Sequence, residues 1–160
     1  MKYLIPALLL ITACDSFPCA VPKLELEQQP HTSSLRIDGM YYYYDYLIDS
    51  SSVAVLYLYG NGVLRMRGLS TEDAFKKDAR GIFENINPRD EWGIYNVVND
   101  SINIEKWEPS LHCGADKVSG KGWVLNDSTI VVELYPSYEE VYHFYPLDVK
   151  PDSTNEYLNP

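Results

Sequence analysis

The sequence predicts a mainly β domain, an antiparallel up-and-down barrel or sandwich of about eight strands with one α-helix. Short runs rich in Tyr, Val, Ile and Leu, separated by Asn, Asp, Gly and Ser, occupy residues 35–147. Such runs are typical of strands joined by tight turns. Sequential antiparallel strands close into a barrel or sandwich because closure hides their edges.

A first strand is predicted over residues 35–46 and a hairpin over residues 53–67. The hairpin turns at Asn61-Gly62, a pair that favours a two-residue type I′ turn. This turn pairs Tyr59 with Leu64 and Tyr57 with Met66 on the predicted core face. The opposite face then holds Leu58 with Arg65 and Leu56 with Arg67.

Two later hairpins turn at Asn-Asp-Ser sequences, because Asn and Asp tolerate the left-handed backbone region. The hairpin over residues 92–107 aligns Val97 with Ile102 and Tyr95 with Ile104. Its opposite face holds Asn96, Asn103 and Glu105 and is predicted to face solvent. The hairpin over residues 121–134 is predicted to share one face among Trp123, Leu125, Ile130, Val132 and Leu134. A last strand is predicted over residues 140–145.

One helix is predicted over residues 71–84. It begins at the capping-box sequence Ser70-Thr71-Glu72-Asp73. Its apolar residues Ala74, Phe75, Ala79, Ile82 and Phe83 recur at helical spacing. We expect this apolar stripe to close one mouth of the barrel or to cover one face of the sheet.

The N-terminus is predicted to be a lipoprotein signal peptide over residues 1–13, since it has a basic start, a short apolar run and small residues. The sequence Ile11-Thr12-Ala13-Cys14 resembles a bacterial lipobox, which implies that Cys14 is lipidated. A plain secretory signal cut near Ala13 or Ala20 is the alternative. The apolar run is too short to span a bilayer as a helix.

A signal peptide directs the chain to a compartment that permits disulfides, so Cys19 and Cys113 are predicted to pair. Two unpaired thiols are the alternative. Residues 14–34 are predicted to form the lipidated N-terminus and a proline-containing tether. Residues 35–147 are predicted to form the β domain, and residues 148–160 a loose or draped C-terminal tail.

The chain carries 23 acidic and 13 basic residues, a formal charge of −10, which argues against a nucleic-acid partner. Tyrosine is abundant, and Tyr42, Tyr44 and Tyr46 share one face of the first strand, where their rings are candidates for ligand binding. Arg65 and Arg67 are candidates for holding a carboxylate or phosphate. The alternatives are tyrosines that serve as strand formers and arginines that cover an outer face.

We expect no metal site, no cofactor and no enzymatic activity. His112, Cys113 and Asp116 lack the further ligands of a tetrahedral set. Hydrolase and phosphate-loop motifs are absent from the sequence. Adjacent carboxylates such as Glu139 and Glu140 point to opposite faces of a strand, which makes them poor acid and base partners.

Five segments resemble a group of small lipoproteins from Bacteroides-type bacteria: RIDGMYY (36–42), YGNGVL (59–64), WGIY (92–95), INIEKW (102–107) and KPDSTN (150–155). The resemblance implies a lipocalin-like β-barrel and brings no ligand or catalytic residue with it. Lipocalins proper carry Gly-x-Trp on the first strand, where this chain has Gly39-Met40-Tyr41.

Together these features predict a lipoprotein anchored in the outer membrane of the cell envelope, facing either the periplasm or the outside. Its domain is expected to bind a small molecule or glycan without transforming it. The alternative is an accessory subunit that binds another envelope protein. A ligand pocket lined by Tyr and Arg would favour the first function, and a filled barrel with an exterior apolar patch would favour the second.

Overall fold

The computed structural model describes residues 21–44, 52–71, 89–111, 114–136 and 138–158. These residues form one closed antiparallel barrel of eight strands, in which each strand pairs with its sequence neighbours and the last returns to the first. The strands are β1 (Gly39–Tyr44), β2 (Ser52–Leu58), β3 (Val63–Ser70), β4 (Trp92–Val98), β5 (Ser101–Pro109), β6 (Ala115–Asn126), β7 (Thr129–Tyr135) and β8 (Tyr138–Pro146). The predicted fold class is confirmed, and the architecture is a barrel rather than a sandwich.

Side chains fill the middle of the barrel. Successive residues of a strand point to opposite faces, and the inward face contributes to one buried cluster. Its most buried members are at most 1% exposed: Tyr41, Leu56, Leu58, Leu64, Tyr95, Ile102, Ile104, Ile130, Val132 and Tyr142. The middle is therefore a packed core.

The segment before β1 covers one end of the barrel, which we call the closed end. Leu35 is buried and Ile37 packs against the inner cluster. The Tyr41 hydroxyl lies 3.0 and 3.1 Å from the carbonyl oxygens of Arg36 and Asp127, so it can donate to either. Burial raises the pKa of Tyr41, which keeps this donor protonated.

The outward face of β1–β5 carries a second apolar cluster, which we call the outer wall. Its most buried strand residues include Met40, Val55, Tyr57, Val63 and Trp92. Leu24, from the segment before the barrel, and Tyr157 and Leu158, from the segment after it, pack against this wall. Both faces of these strands are therefore apolar and buried.

Trp107 joins the two flanking segments on the outer wall. Its Nε1 donates to the carbonyl of Pro22 at 2.8 Å, and its ring centroid lies 6.4 Å from that of Tyr157. The amide N–H groups of Glu25 and Leu26 donate to the Glu105 carboxylate. The described parts of the predicted tether and tail thus lie against the barrel.

The predicted register of the β2–β3 hairpin is wrong by one residue. Tyr59 and Val63 close a three-residue turn, in which Gly62 takes the left-handed conformation with φ 80°. Tyr57 therefore pairs with Arg65, and Leu58 pairs with Leu64. A slip of one residue changes the face on which each cross-strand partner is expected. The predicted Tyr-Leu-Met core face does not exist, because the tyrosines point outward while Leu64 and Met66 point inward.

The β4–β5 hairpin has the predicted register. Val97 pairs with Ile102 and Tyr95 with Ile104. Asn99 and Asp100 form the turn with positive φ angles of 49° and 62°, as a type I′ turn requires.

The predicted shared face is wrong for β6. Trp123 pairs with Val131 and points outward, and Leu125 is largely exposed. Val124 packs inward with Ile130 instead. The register shifts between Val124 and Asn126, an irregularity that simple alternation does not anticipate.

Several predictions fall wholly or partly outside the described residues. Apart from Thr71, the predicted helix lies outside them, as do the last two residues of the predicted first strand. The first strand itself begins at Gly39 rather than Leu35. Cys14, Cys19 and Cys113 also lie outside, so lipidation and the disulfide stay predictions.

Candidate functional site

The barrel end opposite the closed end has a polar inner face, and we call it the open end. On β5 the inward side chains change from Ile102 and Ile104 to Lys106 and Glu108. On β8 the inward-facing residues are Tyr142, Glu140 and Tyr138, and Tyr138 lies nearest the open end. We define the mouth cluster as Tyr43, Lys106, Glu108, Tyr135, Tyr138, Glu140 and Tyr142.

One half of the mouth cluster is aromatic and lies on β1 and β8. The hydroxyls of Tyr43 and Tyr138 are 2.6 Å apart. The ring of Tyr43 meets that of Tyr142 at 5.8 Å and 45°. The Tyr142 hydroxyl donates to Glu140 Oε2 at 2.7 Å. These contacts fix the rings and hold the carboxylate on the inner face.

The other half is charged and lies on β5 and β7. Lys106 Nζ donates to Glu108 Oε1 at 3.1 Å, and the Tyr135 hydroxyl donates to the same oxygen at 2.5 Å. The Lys106 side chain is 8% exposed and that of Glu108 is 22% exposed, so the pair is largely withdrawn from water. Desolvation and, to a smaller extent, the hydrogen bond to Glu108 raise the pKa of Tyr135. The Tyr135 hydroxyl therefore remains protonated and can donate.

Small residues leave space beside this cluster. Tyr43 pairs with Ala54, and Ala54 pairs with Gly68, which places the three side by side on the inner face. A methyl group built on Gly68 would meet no atom of the described residues within 4 Å. Ala54 and Met66 are half-buried although they face inward. Solvent therefore reaches the inner wall at the open end.

Two of the predicted ligand-binding tyrosines, Tyr42 and Tyr44, lie on the outer surface of the barrel. Tyr42 and Tyr44 are half-buried on the outward face of β1, with their ring centroids 5.6 Å apart in an edge-to-face arrangement. Tyr42 also lies 6.1 Å from the ring of His143. Tyr46 is outside the described residues. The inward tyrosines of β1 are instead Tyr41 and Tyr43, and ligand binding by the outward set stays a prediction.

Arg65 and Arg67 also point outward, together with Tyr57 and Val55 rather than with the predicted leucines. Arg65 is 3% exposed. Its Nε and Nη2 donate to Glu91 Oε2 at 2.8 and 2.6 Å. Arg67 Nε lies 3.3 Å from the second oxygen of the same carboxylate. Glu91 thus supplies a carboxylate partner to both arginines.

Trp92 strengthens this arrangement, because the Arg65 guanidinium lies 5.0 Å from the centroid of its ring. The 3-10 turn Arg89–Glu91 brings Glu91 to the start of β4. The outer wall therefore holds a buried ion pair that joins β3 to this turn. Ligand binding by the two arginines stays a prediction.

Sequence reasoning missed the mouth cluster, although part of its signal was present. Ile102 and Ile104 are assigned to the apolar face of β5. Strict alternation then places Lys106 and Glu108 on that same face. Similarly, Tyr138, Glu140 and Tyr142 are spaced by two along β8. Charged residues that continue an inward face are the signal that could have identified this site.

Among the described residues no group of His, Cys, Asp or Glu side chains is arranged to hold a metal ion. The same residues include no helix that is long and apolar enough to cross a bilayer. Of the predicted metal-compatible residues, only Asp116 is described, and it is exposed. No protein-family model, curated protein or solved structure matches the chain.

Proposed function

We propose that this protein is a lipid-anchored cell-envelope lipoprotein, held in the outer membrane, whose barrel binds a small ligand at its open end without transforming it. The observation that carries the proposal is the contrast between the two ends. The closed end is packed with apolar side chains, whereas the open end has an aromatic and charged inner face that solvent reaches. Mouths of β-barrels are common ligand sites.

The chemistry of the open end suits a small polar molecule or one residue of a glycan. Half-exposed Tyr43 and Tyr138 offer ring faces and hydroxyls. The Lys106 and Glu108 pair adds a fixed donor and acceptor. Because these groups are already joined by hydrogen bonds, the site is ordered before a ligand arrives, which reduces the entropy that binding must overcome.

The test begins with protein purified from its own host envelope and then denatured, with the released small molecules identified by mass spectrometry. The variant Gly68→Phe fills the space beside Tyr43 and should release none. The control Asn103→Phe places the same bulk on the outward face of β5 and should release as much as the native protein. Equal release from both variants would contradict a site at the open end.

A second pair of variants separates the two faces of β1. Tyr43→Ala should abolish ligand recovery, whereas Tyr44→Ala should leave it unchanged. The reverse result would move the ligand to the outward face, where the sequence predicts Tyr42, Tyr44 and Tyr46 to bind it. Circular dichroism of each variant tests whether it is folded.

The proposed anchor rests on the sequence around Cys14, and intact mass spectrometry of the native protein tests it. We expect a chain that begins at Cys14 and carries acyl groups, and loss of both in Cys14→Ser. A mature chain that lacks an acyl adduct would overturn the proposed membrane attachment while leaving the ligand site untouched.

A protein-binding accessory role is the second candidate, and two observations favour it: side chains fill the middle of the barrel, and an apolar row lies on the outward face of β6–β8. Trp123, Val131 and Val141 are neighbours across these strands, and Val141 is 40% exposed. A pull-down from the native envelope that recovers a partner with the native protein and loses it with Val141→Glu would support this role. Unchanged recovery with the variant would exclude this row as the docking surface.

A further inference from the structure

A cationic side chain on the outer rim of the open end is held beside two aromatic rings. The guanidinium of Arg89, in the 3-10 turn before β4, lies 4.6 Å from the ring centroid of Tyr157 and 5.8 Å from that of Trp107. No carboxylate of the described residues forms an ion pair with Arg89, and the neighbouring Glu91 is paired with Arg65. The rings therefore fix a positive charge that a group from outside the chain can use.

A cleft opens beside this guanidinium. Its volume is about 200 Å³, and it is lined by Arg89, Asp90, Pro109, Gly114 and Ala115. Pro109 and Ala115 are paired at one end of the β5–β6 ladder, so the cleft lies between that end and the 3-10 turn. Its size is below the roughly 300 Å³ at which most ligand pockets begin. A guanidinium and a carboxylate on its wall suit a small head group that carries both charges.

An apolar side chain projects next to the cleft. Leu111 follows Pro109 by two residues and is 99% exposed. The other exposed large apolar side chains of the described residues retain more contact with the protein, since they are 36% to 55% exposed. Burial of Leu111 in an apolar phase would remove this surface from water. We define the contact rim as Arg89, Asp90 and Leu111.

The N-terminal segment reaches the barrel beside the contact rim. Pro22 accepts the hydrogen bond of Trp107, whose ring lies next to Arg89. Val21 follows Cys14 by seven residues. At about 3.6 Å per residue, a fully extended chain covers at most about 25 Å over this stretch. An acyl group on Cys14 would therefore keep the contact rim close to the bilayer surface.

We propose that the contact rim rests on the bilayer that holds the Cys14 anchor, and that its cleft binds the head group of a zwitterionic phospholipid. The lipid phosphate pairs with Arg89, and the lipid ammonium lies against Asp90. Leu111 enters the boundary between head groups and acyl chains. The formal charge of −10 favours a zwitterionic lipid, because an anionic surface would repel the chain. This inference rests on the proposed function, since it assigns the surface that the proposed anchor brings to the membrane.

Quenching by lipids with brominated acyl chains tests which end of the barrel contacts the membrane. The acylated full chain is reconstituted in vesicles of brominated phosphatidylcholine. Leu111→Trp places an indole on the contact rim, and the control Val98→Trp places one at the closed end, where Val98 is 50% exposed. After the quenching of the native tryptophans is subtracted, the first indole should lose at least about half of its emission, because it reaches the acyl boundary. The second should lose none.

Further substitutions in the Leu111→Trp chain test the head-group contacts. Arg89→Gln should reduce the quenching about twofold, because the phosphate contact is lost. The matched control Arg36→Gln, at the closed end, should leave the quenching unchanged. Asp90→Asn should reduce it about twofold in phosphatidylcholine but not in phosphatidylglycerol, which has the phosphate without the ammonium. Circular dichroism of each variant before reconstitution tests whether it is folded.

The outcomes separate this inference from the proposed function. Intact mass spectrometry of the same preparation detects the acyl groups on Cys14, and a native chain without them would overturn the anchor and the membrane contact together. An acylated chain in which the two introduced indoles are quenched equally, or in which neither is quenched, would overturn the contact rim and retain the anchor. A partner protein on this surface would give the second of these results, since the vesicles contain only lipid.

The head-group assignment can fail separately. Quenching of Leu111→Trp that is unaffected by Arg89→Gln would overturn the phosphate contact. An effect of Asp90→Asn that is the same in both lipids would overturn the ammonium contact and with it the preference for a zwitterion.

Discussion

Lys150 has a buried ammonium group whose titration makes the stability of the fold depend on pH. Its Nζ donates to the backbone carbonyls of Ile37 and Leu58 and lies 4.5 Å from the centroid of the Tyr59 ring. Burial lowers the pKa of Lys150 from 10.5 to about 8, and the charge of Asp38 opposes this change. The folded state therefore releases this proton at a lower pH than the unfolded state does.

The sign of the effect follows from proton binding. Between about pH 8 and 10.5 the unfolded chain holds a proton at Lys150 that the folded chain has released, so the free energy of unfolding rises with pH. Below pH 8 both states are protonated, and the cost of burying the charge is fully present. At about 1.4 kcal/mol per pH unit, lowering the pKa to about 8 corresponds to about 3 kcal/mol.

Urea unfolding followed by tryptophan fluorescence, repeated from about pH 7 to 10, measures this dependence. The stability of the native protein relative to Lys150→Met should rise by about 2 to 3 kcal/mol across that range. The comparison with the variant cancels the opposing titration of buried tyrosines such as Tyr41, whose raised pKa values destabilise the fold at high pH. Lys121→Met, at a side chain 71% exposed, should show no such trend. A stability difference between native protein and Lys150→Met that stays constant with pH would refute the reasoning.

Three further substitutions test the packing of the barrel by chemical unfolding. Glu91→Gln should lower the free energy of unfolding by about 3 kcal/mol, because it leaves the buried guanidinium of Arg65 without its carboxylate; a loss below about 1 kcal/mol would show that the ion pair is not structurally important. Gly122→Ala should cost about 1 to 3 kcal/mol, since its new methyl carbon would lie 2.1 Å from a backbone oxygen of β7, and native-like stability would contradict the close approach of these strands. Gly62→Ala should cost about 1 kcal/mol or more, because φ is 80° and the methyl carbon would lie 2.3 Å from the Gln29 carbonyl oxygen; an unchanged midpoint would contradict both the positive φ at Gly62 and the close approach of Gln29.

Strand number and type could be predicted from the sequence because alternation and turn residues are local signals. The β4–β5 hairpin shows this most clearly, since Asn99-Asp100 specifies a two-residue turn and thereby the register. At Asn61-Gly62 the same reasoning failed, because Gly60 joins the turn and makes it one residue longer. Turn length is a property of the closed hairpin, and the alternative lengths differ little in local sequence.

The side of each strand that faces inward was harder to predict. Apolar alternation identifies an inner face only when the other face is polar. Here the outer wall is also apolar and covered by the flanking segments, so Tyr41 and Tyr42 are equally plausible inward residues from the sequence alone. The long-range contacts at Trp107 that cover this wall are not encoded in any local pattern.

Trp107 also determines where attachments to the chain would come to rest. It contacts both Pro22 and Tyr157 at the level of Lys106 and Glu108 on β5, so the first and last described segments meet beside the opening. A fluorescent label attached at Val21 or Leu158, where the described segments begin and end, would therefore lie beside the open end of the barrel. The turn at Asn99 and Asp100 lies at the closed end, and a reporter placed there would leave the open end clear.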